Sequence, residues 1–142
     1  MILIGAWSSE AFFYDAFEDT QLEFHGDGTG CHAFLRPYGQ DITLFRWKLM
    51  KDRIEFEEYF QVSIEVNENT NEEQYSTESL ENNYSVKFFK ARGVNVANQE
   101  IDVIAFYSPL IDGVNSQSFG MISKTWDKSF IDVARRYEQD IL

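Results

Sequence analysis

The chain has 142 residues, 44% hydrophobic and 16% aromatic, with a net charge of −12. That size and composition suit one domain, 1–142, burying roughly 70% of its unfolded surface. The acidic balance argues against nucleic acid and anionic membranes as partners, and the single Cys31 excludes an internal disulfide framework.

In chain order, MILIGAWSS lacks the basic region and cleavage site of a secretory signal, and no apolar run reaches the roughly 20 residues of a membrane helix. The expectation is a soluble, cytoplasmic protein whose first strand is Ile2 to Trp7. Ser8 to Asp19 has Ala11, Tyr14 and Phe17 at near-helical spacing and fits a short helix. Strands follow at Gln21 to His25, Cys31 to Arg36 and Ile42 to Met50. The turn signals between them are Asp27-Gly28 with Gly30, Pro37-Tyr38-Gly39 and Lys51-Asp52-Arg53.

Ile54 to Val66 carries the clearest pattern. Ile54, Phe56, Phe60, Val62, Ile64 and Val66 alternate with Glu55, Glu57, Tyr59, Gln61, Ser63 and Glu65. Thirteen residues of period two predict a long antiparallel strand with one wet face. Asn67 to Asn83 is polar, rich in Asn and Glu, and reads as a mobile acidic loop over 67–83. Further strands are expected at Tyr84 to Ala91, Ile101 to Tyr107 and Phe119 to Trp126, with turns at Asp112-Gly113 and Asp127-Lys128. Phe130 to Tyr137 fits a strand, and Ile131 to Leu142 also fits a helix. Eight or nine short strands joined by tight turns predict an all-β, antiparallel up-and-down barrel with one short helix.

The N-terminal third resembles a small lipocalin-like, calycin-type barrel domain. The resemblance is carried by Gly5-Ala6-Trp7, by Leu22 to Gly30 and by Phe45-Arg46-Trp47 ahead of a charged turn. It covers about the first 60 residues. It implies that Trp7 closes one end of the barrel against an Arg of the last strand. Arg135, which shares parity with Ile131 and Val133, is the candidate partner.

Several groups of residues are candidates for chemistry. His25, Cys31 and His32 lie within eight residues, which suggests a metal site. In either hairpin register the two His share one face and Cys31 takes the other. No metal and no cofactor is therefore expected. Glu58 shares parity with Phe56 and Phe60, so its carboxylate is predicted on the apolar side, facing a cavity. There it pairs with a base such as Arg46 or carries a raised pKa; the plainer readings are a structural pair, a bulge, or a place near the barrel mouth. Glu58, Arg46, Phe56 and Phe60 form the candidate ligand site. Aromatic groups such as Phe12-Phe13-Tyr14 and Phe88-Phe89 line a pocket or fill the core.

No nucleophile elbow, phosphate-binding loop or His-Glu-x-x-His pair is present, so a non-enzymatic protein is expected. Charge supplies the other hint. Ile54 to Val86 holds nine Glu and no Lys or Arg, whereas Lys87 to Leu142 has seven acids and seven bases. Glu55, Glu57, Glu65, Glu68, Glu72 and Glu73 are candidates for an acidic face that meets a basic protein, as in an immunity- or inhibitor-type module. The alternative is a carrier of a small apolar ligand inside the barrel.

Overall fold

A computed structural model describes residues 3–9, 18–108, 118–125 and 128–138. Eight antiparallel strands follow one another round a closed barrel in chain order, with β1 pairing β8. They are β1 (Gly5–Ser8), β2 (Asp19–Phe24), β3 (Thr29–Arg36), β4 (Gly39–Met50), β5 (Arg53–Val66), β6 (Glu73–Val94), β7 (Glu100–Phe106) and β8 (Ser118–Ser123). A short helix, α1 (Phe130–Arg135), follows. Of the short helix expected within Ser8 to Asp19, Ser8 belongs to β1 and Asp19 to β2, and residues 10–17, with the Phe12-Phe13-Tyr14 group and the Asp112-Gly113 turn, lie outside the described residues.

Two apolar clusters lie on either side of the barrel wall. Inside, Trp7, Leu22, Phe24, Phe45, Ile54, Phe56, Phe88, Ile104 and Phe119 pack together. Outside, Ile131 and Ala134 of α1 cover Cys31, Ala33, Ile42, Leu44, Phe60, Val62 and Ile64. Gly30 permits the inner packing, because a Cβ there would lie 2.4 Å from both the Phe45 ring and the Glu23 carbonyl.

The expected strand over Phe130 to Tyr137 is instead α1. The Ser129 hydroxyl caps it by accepting from the Ile131 N–H, Asp132 sits in the first turn and Arg135 in the last. Ile131 and Ala134, three apart, supply its buried face. The closure implied by the family resemblance is therefore not made. Arg135 lies exposed on α1 outside the barrel, while Trp7 is fully buried within and donates its indole N–H to the Leu3 carbonyl at 2.9 Å.

The loop expected over 67–83 is also corrected. β6 begins at Glu73 and pairs with β5 from Val66↔Glu73 to Arg53↔Lys87. Only Asn67 to Glu72 turns. Asn67 accepts from the Asn69 and Thr70 N–H groups, and Asn71 takes φ 58°. Most residues of β6 from Glu73 to Asn83 are exposed. Such a strand has no dry side to write an alternation into its sequence, so its polarity imitates a loop.

β5 is a strand, as its periodicity predicts, but it does not keep one face. Phe45 pairs with Glu58 and Leu44 with Phe60, which leaves Tyr59 as an extra residue in a bulge. Ile54, Phe56 and Glu58 face inward. Phe60, Val62 and Ile64 face outward, beneath α1.

Candidate functional site

Inward of the bulge, the barrel interior turns polar. Register carries Leu22 of β2 onto His32 of β3, and His32 onto Thr43 of β4. Because Leu22 belongs to the inner cluster, His32 and Thr43 also face inward. On the neighbouring strands Glu58 pairs with Asn82, and Phe56 with Tyr84. Four polar side chains from β3, β5 and β6 thus converge on the inner wall.

Glu58 is their centre, only 7% exposed. Its Oε2 accepts from His32 Nε2 at 2.8 Å and from the Tyr84 hydroxyl at 2.8 Å. Its Oε1 accepts from Asn82 Nδ2 at 2.7 Å. His32 is 8% exposed, Tyr84 half-buried and Asn82 exposed, so the cluster runs from the interior to the solvent. Aromatic rings continue it inward. Tyr84 stacks on Phe56 with centroids 5.1 Å apart, and Phe56 meets Phe45 edge-on at 4.9 Å.

These contacts set the ionisation. Burial pushes the Glu58 carboxyl up, but the bond and charge of His32, with the bonds from Asn82 and Tyr84, outweigh it. Glu58 ends below the ordinary carboxylate range. Burial, then the neighbouring Glu58 charge, raises the Tyr84 phenol, which stays protonated as a donor.

Of the predicted ligand residues, Glu58 and Phe56 lie inside as expected. Arg46 and Phe60 do not. Arg46 faces outward, 3.3 Å from Glu57 and with its guanidinium 4.4 Å above the Tyr59 ring. Phe60 is carried outside by the bulge. His32, Asn82 and Tyr84 were not among the predicted ligand residues. Asn82 and Tyr84 share the parity of Val86 and Phe88, a signal hidden while 67–83 reads as a loop.

The histidines are separated by the barrel wall, contrary to the shared face expected for them. His25 Nε2 bonds Glu23 Oε1 at 2.8 Å on the outer side, where Glu23 pairs with Cys31 across the hairpin. Glu23 also accepts from the Ser129 hydroxyl at 2.6 Å and the Phe130 N–H at 2.9 Å, which fastens the start of α1 to β2. Among the described residues no three His, Cys, Asp or Glu side chains are placed to hold a metal ion.

The acidic candidates are also divided. Glu55 and Glu57 point outward ahead of the bulge, and Glu65 takes the opposite face beyond it. Glu55 and Glu65 lie about 30 Å apart along the strand, at roughly 3.3 Å per residue. Cations accompany them: Arg46 at Glu57, and Arg36 at Glu65 at 3.2 Å. Glu68 and Glu72 are exposed at the hairpin turn, and Glu73 accepts from the Tyr137 hydroxyl. A groove of about 520 Å³ runs along β4, β5 and β6 between Arg46, Lys48, Glu55, Glu57, Asn83 and Ser85.

No protein-family model matches the chain, and no curated protein matches it in sequence. Among solved structures it is similar to a streptavidin-like protein from Bacteroides eggerthii DSM 20697. The two share 12% identity and a TM-score of 0.48, over 96% of this chain and 85% of that one. Among the described residues no helix is long and apolar enough to cross a membrane.

Proposed function

We propose that the protein is a non-catalytic binder of a small ligand, taken into the barrel against Glu58. The observation that carries this reading is a charged carboxylate on the inner wall, held by three side-chain donors and continuous with a wall of aromatic rings. A few convergent polar groups beside apolar surface are what ligand sites are built from. The ligand is accordingly not purely apolar, because a wholly apolar molecule would leave the carboxylate without water or partner. His32 spends its Nε2 on Glu58, and no hydroxyl or thiol nucleophile bonds it among the described residues, so the cluster suits binding better than group transfer.

Less supports a basic protein partner of the immunity or inhibitor type. The acids that would meet it are spread over both faces of a long hairpin, and two of them are paired with Arg. Native mass spectrometry of the protein purified from its own cells separates the two readings. A small-molecule adduct that persists at high salt, and is lost on unfolding and in Glu58→Gln, is the expected result. A salt-released protein partner with no adduct would overturn it.

A further inference from the structure

The charge around Glu58 is incomplete. Its carboxylate is solvated by an imidazole, a phenol and an amide, of which only the imidazole can carry positive charge. Among the described residues His32 is the only basic group within ion-pair distance of it. Arg46, the cation expected there, is committed to Glu57 on the other side of the wall. Apart from His32, the buried negative charge is held by neutral donors alone. A buried charge in that state gains most from an opposite charge that completes it.

The surroundings favour an organic cation over a bare metal ion. Glu58 is the only carboxylate in the cluster, and a metal needs several ligands. The half-buried ring of Tyr84 lies beside it, backed by the buried Phe56 and Phe45, and aromatic rings attract ammonium groups while covering an apolar body. The net charge of −12 raises the local concentration of any cation approaching the barrel. We infer that the Glu58 site selects a small protonated amine on an apolar, ring-sized body, with the ammonium at the carboxylate and the body against the Tyr84 ring. This inference rests on the interior being a ligand site, and it adds the class of ligand.

The ammonium would share Glu58 with His32 and Tyr84, which both bond its Oε2. The groups facing Glu58 are His32 from β3, Phe45 and Thr43 from β4, and Asn82 and Tyr84 from β6. The other acids of inward parity are Asp41 and Glu65, both engaged by Arg36, Glu78, opposite Gln61, and Glu100 and Asp102, both engaged by Arg92.

Calorimetric titration of the full chain with phenethylamine, phenethyl alcohol and hydrocinnamate tests the charge preference on one shared body. The expected result is amine binding at least about tenfold tighter than alcohol, a difference of roughly 1.4 kcal/mol, with weaker binding still of the carboxylate. Glu58→Gln, shown folded by its thermal melt, should bring amine and alcohol together. Equal or tighter binding of the alcohol or acid would overturn the inference, as would an amine preference kept in Glu58→Gln. Failure of all three to bind overturns it as well. An adduct from cells that lacks a basic nitrogen would overturn the amine class while upholding the interior site.

Discussion

Glu58 and Phe60 stand two residues apart on one strand and point to opposite sides of the barrel wall. Glu58 faces Phe45 across the ladder and looks inward. Phe60 faces Leu44 and lies beneath α1. The extra residue Tyr59 reverses the strand's faces at that point. The polar interior site exists because of this reversal: it ends the run of inward apolar residues and turns Gln61 and Ser63 inward beyond Glu58.

Loss of the Glu58 carboxylate should cost stability as well as binding. Glu58→Gln keeps the shape but sets an amide N–H against donors from His32, Asn82 and Tyr84, and cannot accept from all three. Leaving a buried donor unpaired costs about 1–3 kcal/mol. Urea unfolding should show that loss at neutral pH with an unchanged slope. A variant as stable as the parent would mean that the three donors find water instead.

The pH dependence has a definite sign. Glu58 has a folded pKa below its ordinary value of 4.5. Its contribution is complete above that ordinary value and is lost as pH falls through the lower folded one. The urea midpoint of the parent should drop on acidification below about pH 4.5, and Glu58→Gln should drop less steeply. Parallel acid limbs would assign the loss to other carboxylates.

The strand content was largely legible in the sequence, and the site only in part. Turn residues marked the ends of β2 to β5, because Gly, Asn and Asp are needed wherever the backbone reverses. The bulge left no trace in the alternation. Ile54 and Phe56 are apolar to fill the barrel, and Phe60, Val62 and Ile64 are apolar to meet α1, so the even positions stay apolar while the face changes. Glu58 is the one visible irregularity, and its inward position follows from the parity it shares with Phe56. Its partner is His32 and not Arg46, since parity across β4 and β5 depends on the hidden bulge. α1 was ambiguous at six residues, a length at which strand and helix patterns overlap.

The two residues paired by the family resemblance should behave independently. Trp7 is fully buried and donates to the Leu3 carbonyl, so Trp7→Phe loses that bond and leaves a void, for about 1–3 kcal/mol. Arg135 is exposed at the end of α1, and Arg135→Ala should change stability by less than about 0.5 kcal/mol. Chemical denaturation of both variants and their double mutant should give additive effects. A coupling above about 0.5 kcal/mol would show that the two residues meet after all.

The junction of α1 with the barrel should be the second point of sensitivity. Glu23 is 2% exposed and takes His25, the Ser129 hydroxyl and the Phe130 N–H on one carboxylate, so it serves β2, β3's hairpin and the helix start together. Ser129→Ala removes the helix cap and one of those donors, and a lost cap costs about 1 kcal/mol. Cys31 reports on the result. Its thiol is buried beneath α1, and burial together with the neighbouring Glu23 charge raises its pKa well above the ordinary value. In the parent it should therefore react slowly with a thiol reagent such as iodoacetamide, because little thiolate is present and none is exposed. In Ser129→Ala the helix lifts more often, and labelling of Cys31 should quicken roughly in step with the lost stability, about tenfold per 1.4 kcal/mol. Rapid labelling of the native parent would mean that α1 does not seal the outer cluster.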